Sequence, residues 1–210
     1  MIKARHQSLA IILIRWYYRL KFSLHFKKVN IIETIACGNR PVIMTGNHFS
    51  WWDGFFADHL NAKIFKRKLH IMMLEEQLKP RMFLNKAGAF SINPGTRDMI
   101  TSLEYSTEIL KDPGNILVIY PQGEIQSMHR QQFSFNSGIS SIYRKHILRG
   151  GSQDLCLVFY VALTDYLSDS KPTVNIFLKE FPAVYLNNIK QLEASFQAFY
   201  MSCIQKQPKL

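Results

Sequence analysis

Residues 47–53 read Asn-His-Phe-Ser-Trp-Trp-Asp, which sets His48 and Asp53 five positions apart. A free imidazole titrates near neutrality, so a histidine can take the proton of a hydroxyl as that hydroxyl attacks another group. A carboxylate within hydrogen-bond reach fixes the ring tautomer and stabilises the imidazolium that forms. Five positions along one straight helix would splay the two side chains by about 140°. They meet only if a turn into a helix lies between them, which Gly46, Asn47 and Ser50 permit.

The elements that must position this pair follow from the apolar pattern. Residues 41–45 form an apolar run that reads as a buried strand, ended by Gly46-Asn47, and 52–60 read as a helix. Further strands are expected at 29–35, 69–74, 89–92, 116–120, 155–163 and 173–177. Helices are expected at 75–86, from the cap at Thr96 to 111, at 138–148 and over the last 20 residues. Strands alternating with helices predict an α/β domain with a mostly parallel central sheet flanked by helices. Ligands of such sheets bind at the carboxyl ends of the strands, where His48 and Pro121-Gln122-Gly123-Glu124 both fall.

The first 28 residues predict an N-terminal amphipathic helix ahead of a single domain at 29–210. Leu9, Leu13, Trp16, Leu20 and Leu24 recur at three- and four-residue steps, with basic residues interspersed and an aromatic cluster at Trp16, Tyr17 and Tyr18. Such a helix suits an anionic membrane interface or the domain's own core. No apolar run is long enough to span a bilayer.

The chain has 210 residues, 47% of them hydrophobic, and a formal charge of +11. That charge favours a polyanionic partner or surface. Zinc-ligand spacing, an aromatic RNA-binding signature and a clear helix-turn-helix are all missing, which argues against nucleic acid. The three cysteines are far apart, odd in number and without metal-ligand spacing, so they read as packing residues in a reduced setting. Lys66-Arg67-Lys68 reads as a basic face, and His70 as a histidine of the strand core.

Three further segments accompany the first: Gly88-Ala89-Phe90-Ser91-Ile92-Asn93 with Arg97 after it, Val118-Ile119-Tyr120-Pro121-Gln122-Gly123-Glu124, and the apolar run 155–163. In order and spacing the chain resembles the glycerolipid acyltransferase family, the lysophosphatidate acyltransferase (PlsC-like) group, from about Val29 to Leu163. The resemblance implies transfer of a fatty acyl group from an acyl thioester, on coenzyme A or an acyl carrier protein, to a lipid hydroxyl. His48 would be the general base and Asp53 its partner. Gly88, Phe90, Arg97, Gln122, Gly123 and Glu124 would contact substrate. No activated serine or cysteine, bound cofactor or metal is required, and the expected location is the cytoplasmic face of a membrane. The chain departs from the pattern at four places: Pro94 stands where the family has arginine, Gln122 for glutamate, Tyr120 for phenylalanine and Tyr160 for proline. These departures point to an acceptor other than plain lysophosphatidate, such as a glycolipid, or to a catalytically inactive relative that binds lipid at the membrane surface, against which the intact His48–Asp53 pair argues.

Overall fold

The computed structural model describes residues 1–207. Its centre is a seven-stranded sheet: β1 (Lys28–Ile31), β2 (Val42–Gly46), β3 (Lys68–Leu74), β4 (Ala89–Ile92), β5 (Asn115–Val118), β6 (Cys156–Asp165) and β7 (Thr173–Phe181), in the order β1-β7-β6-β2-β5-β3-β4. Only the β6–β7 pair is antiparallel. The sheet is therefore mixed but mostly parallel, as the alternation of elements predicts.

The central strands are apolar on both faces because helices cover both. Alternate residues feed two cores. Ile43, Leu117, Leu157 and Phe159 pack with α5 (Arg97–Ile109), α6 (Gly138–Leu148) and α7 (Ile189–Lys206). Val42, Met44, Val118 and Tyr160 pack with α1 (Ser8–His25) and α2 (Asp53–Leu60).

Several expectations need correction. The segment 75–86 is not one helix but α3 (Glu75–Leu78), a 3₁₀ turn at Lys79–Arg81 and α4 (Met82–Asn85). Pro80 has no amide hydrogen and cannot continue the helical ladder. The first helix starts at Ser8, and the residues before it run extended beside β4, with Ile2 bonded to Ser91 and Gln7 to Lys86. Its predicted apolar stripe faces outward: Leu9, Leu13, Trp16, Leu20 and Leu24 are all exposed. The inward face is Ile14, Tyr18 and Phe22, a second stripe offset from the first. The Arg15 guanidinium grips Asp58 with two bonds of 2.9 and 3.0 Å, tying α1 to α2.

Cys37 and Cys156 are not separate packing thiols. They form a disulfide between the loop before β2 and the first residue of β6. In the basic cluster, Arg67 is turned inward and donates to the carbonyls of Arg40 and Gly38.

Candidate active site

The end of β2 is fixed from the side before the chain turns. The Asn47 amide donates to the Ala162 carbonyl and accepts from its amide, both at 2.9 Å, fastening the strand end to β6. The backbone then bends through Phe49–Trp52 into α2, whose first residue is Asp53. This bend defeats the helical splay. His48 Nδ1 and Asp53 Oδ2 lie 2.7 Å apart.

The same Asp53 oxygen accepts from the amides of Phe49 and Ser50, each at 2.9 Å. The carboxylate sits at the N-terminus of α2, where the helix dipole favours negative charge. Its side chain is 1% exposed, that of His48 22%. Burial raises the Asp53 carboxyl above its usual range, opposed by the bonds from His48, Ser50 and Phe49. Its Oδ1 is buried without a partner. With the proton on Nδ1, held by Asp53, the lone pair on Nε2 is available to a ligand hydroxyl.

The segment after β5 grips the backbone of His48 from both sides. Gln122 Oε1 accepts from the His48 amide at 2.8 Å, and the Gln126 amide donates to the His48 carbonyl at 2.8 Å. Gln122 also donates to Gln126, which donates to Glu124. Gly123 has φ +77, a value that suits glycine, and forms a turn by donating to the Tyr120 carbonyl. This loop is held in turn by α7: Glu193 accepts from the Phe135 amide at 2.7 Å, and the Tyr200 hydroxyl donates to the Met128 carbonyl.

The Acyltransferase family model matches residues 25–188, most of the chain. The protein belongs to that family. Its fold is similar to that of the 1-acyl-sn-glycerophosphate (LPA) acyltransferase PlsC from Thermotoga maritima. The two superpose with a TM-score of 0.64 at 13% identity, covering 94% of this chain and 79% of that one. No curated protein sequence matches this chain.

In this acyltransferase, Gln122, Gly123 and Glu124 gather beside His48, but Gln122 is occupied in holding the His48 backbone. Gly88 and Phe90 are packed into the sheet. Gly88 has φ +112, and a Cβ there would lie 2.0 Å from the Leu69 carbonyl oxygen, so its glycine lets β4 approach β3. Phe90 is fully buried against Tyr105. Arg97 is exposed in the first turn of α5, following β4. Since β4 lies three strand spacings from β2, the lateral offset is about 14 Å.

Four residues that matter locally were not singled out as site residues by their sequence. Asn47 was adjacent to the motif and its amide is the only type there that pairs with both groups of one backbone unit. Gln126 reaches His48 through its backbone amide, a contact that does not depend on residue type, while its side chain links Gln122 to Glu124. Tyr120 and Tyr160 stand as separate departures in distant blocks, although their hydroxyls are 2.7 Å apart.

Proposed function

We propose that this acyltransferase moves a fatty acyl group from an acyl thioester to a hydroxyl of a lipid acceptor, with His48 as general base and Asp53 as its orienting partner. The supporting observation is the 2.7 Å His48–Asp53 contact at the carboxyl edge of the sheet, with Nε2 unclaimed. His48 takes the hydroxyl proton as the oxygen attacks the thioester carbonyl. The same proton then goes to the departing thiolate, and the acyl group ends on the acceptor in one transfer. Asp53 carries the compensating charge. General-base assistance of this kind contributes about 10²–10⁴-fold in rate.

Coenzyme A or an acyl carrier protein would serve as donor carrier. The protein would sit peripherally on an anionic membrane surface through the outer face of α1. Among the described residues no helix is long and apolar enough to cross a membrane. Leu9, Ile12, Leu13, Trp16, Leu20 and Leu24 form a continuous exposed apolar row on α1, and Trp51 beside the proposed base is half-exposed. A row of that kind lies in the headgroup region with its basic residues toward anionic lipid.

A non-phosphate acceptor is favoured by Pro94, which stands where the family has arginine and offers no hydrogen-bond donor. Beside it, at the ends of β3 and β4, an open cleft of about 400 Å³ is lined by Glu75, Glu76, Lys79, Asn93 and Pro94 among others, with Glu75 paired to Lys79 at 2.9 Å.

The test is an assay of labelled acyl thioesters with total lipid extract, comparing the native chain with His48→Ala. A folded His48→Ala protein that acylates lipid at the native rate would sink the base assignment.

A further inference from the structure

The Tyr160 ring fills the volume that a side chain at Gly46 would occupy. A Cβ there would lie 2.3 Å from the ring, and the two residues face each other in the β2–β6 register. The Tyr160 hydroxyl donates to the Asp53 backbone carbonyl at 3.3 Å. A phenol has a single O–H, so the 2.7 Å bond between the hydroxyls is donated by Tyr120. The order is Tyr120 to Tyr160 to the Asp53 carbonyl. At the other end, the Tyr120 ring lies against the His48 imidazole, with centroids 4.4 Å apart and planes 19° from parallel. Burial, with the nearby Asp53 charge, pushes both phenols well above their ordinary range, so they remain protonated donors.

The geometry points to Tyr120 and Tyr160 as positioning residues that align both members of the proposed pair at once. Tyr160 holds the first turn of α2, which carries Asp53. Tyr120, fixed at its hydroxyl, supplies the flat surface that sets the plane of His48. Gly46 provides the space that admits them. This inference rests on the reading of His48 and Asp53 as base and partner. Alignment matters because a misplacement of about 1 Å can lower a rate by about 10²-fold.

The decisive measurement needs no substrate: nuclear magnetic resonance of the full chain with isotope-labelled histidine. The His48 Nδ1–H bonded to a buried carboxylate should give a downfield proton resonance that exchanges slowly with water. Tyr160→Phe keeps the ring beside Gly46 and removes only its hydroxyl. It should move that resonance upfield and speed its exchange about tenfold. Tyr120→Phe should do the same, and the double variant no more, because residues of one unit are not additive. In parallel, with oleoyl-CoA and total lipid extract, each variant should lose roughly tenfold in kcat with little change in KM, the pattern of an interaction felt in the transition state. A Tyr160→Phe protein with the native resonance and exchange rate would overturn the inference, as would effects that add to those of Tyr120→Phe. Asp53→Asn separates the two levels. A resonance that survives Asp53→Asn refutes the His48–Asp53 pairing itself, whereas its loss there alone refutes only the tyrosine relay.

Discussion

At the scale of single residues, the local chemistry around Asp53 makes a specific demand. One carboxylate oxygen accepts from His48 and from two backbone amides. Asp53→Asn places an uncharged group there and removes the stabilisation of an imidazolium. Acyl transfer should fall by about 10²-fold or more, with the fold retained by far-ultraviolet circular dichroism; activity within a few-fold of native would refute the assignment. Gly46 makes a different demand. Gly46→Ala drives a methyl into the Tyr160 ring, and overpacking of this kind costs about 1–3 kcal/mol. The loss should shrink in a Tyr160→Val background, and a double-mutant cycle measured by denaturant unfolding would show it. Equal losses in both backgrounds would mean that the backbone relaxes around the added methyl. The His48–Asp53 spacing was legible in the sequence because a turn into a helix is a local event. The Tyr120–Tyr160 contact was not, since it joins residues forty apart that meet only through sheet pairing.

At the scale of elements, strands with apolar runs were the most legible. β4 and α6 fall on their expected bounds, and β2, β5 and β6 lie within a few residues of theirs. α1 was legible as a helix but not in its orientation. Ile14, Tyr18 and Phe22 recur at the same helical steps as Leu9, Leu13, Trp16, Leu20 and Leu24, so periodicity alone cannot choose which row faces the sheet. The burial of Tyr18 and Phe22 decides it. Arg15 is committed to Asp58 and is a poor choice for probing lipid contact, because reversing its charge would strip the partner from a mostly buried carboxylate. Leu13→Glu with Leu20→Glu is the cleaner probe. Both positions are exposed, so the fold should be unaffected, while cosedimentation with anionic vesicles should drop at least about tenfold as two apolar anchors become charges. Undiminished cosedimentation would place the membrane contact on another face.

At the scale of the whole molecule, acid should weaken the fold through its buried histidines. Burial lowers His6, His59, His70 and His146, with His70 pushed to about 4. The folded state keeps these rings neutral while the unfolded chain takes up protons near the ordinary value of about 6.5. Their stabilisation is therefore complete above that pH and is lost as pH falls from there toward about 4. Asp53 acts in the opposite sense, since its raised pKa lets the folded state bind a proton first, but one group stands against four. The melting temperature should fall between pH 7 and pH 5, by about 2–4 °C for each kcal/mol lost, and His70→Leu should flatten the slope. A melting temperature constant across that range would show that the rings are hydrated in solution. The disulfide was beyond the reach of sequence spacing, because its partners are 119 residues apart and only the β2–β6 pairing brings them together. Reduction, or Cys37→Ala, should destabilise the fold by about 2–5 kcal/mol, readable as a lower denaturant midpoint, with a steeper slope because the unlinked denatured chain exposes more surface.

That same bond divides the chain topologically. Residues 37–156 close into a covalent ring, and His48, Asp53, Tyr120 and the whole 121–137 loop lie on it. α1 and β1 leave the ring as one tail, and most of β6 with β7 and α7 as the other. Any single backbone cut inside the ring opens it without releasing a fragment. A protease that nicks the exposed loop near Arg130 would leave a product of unchanged mass apart from one added water, migrating as one band until a thiol is added and as two bands afterwards.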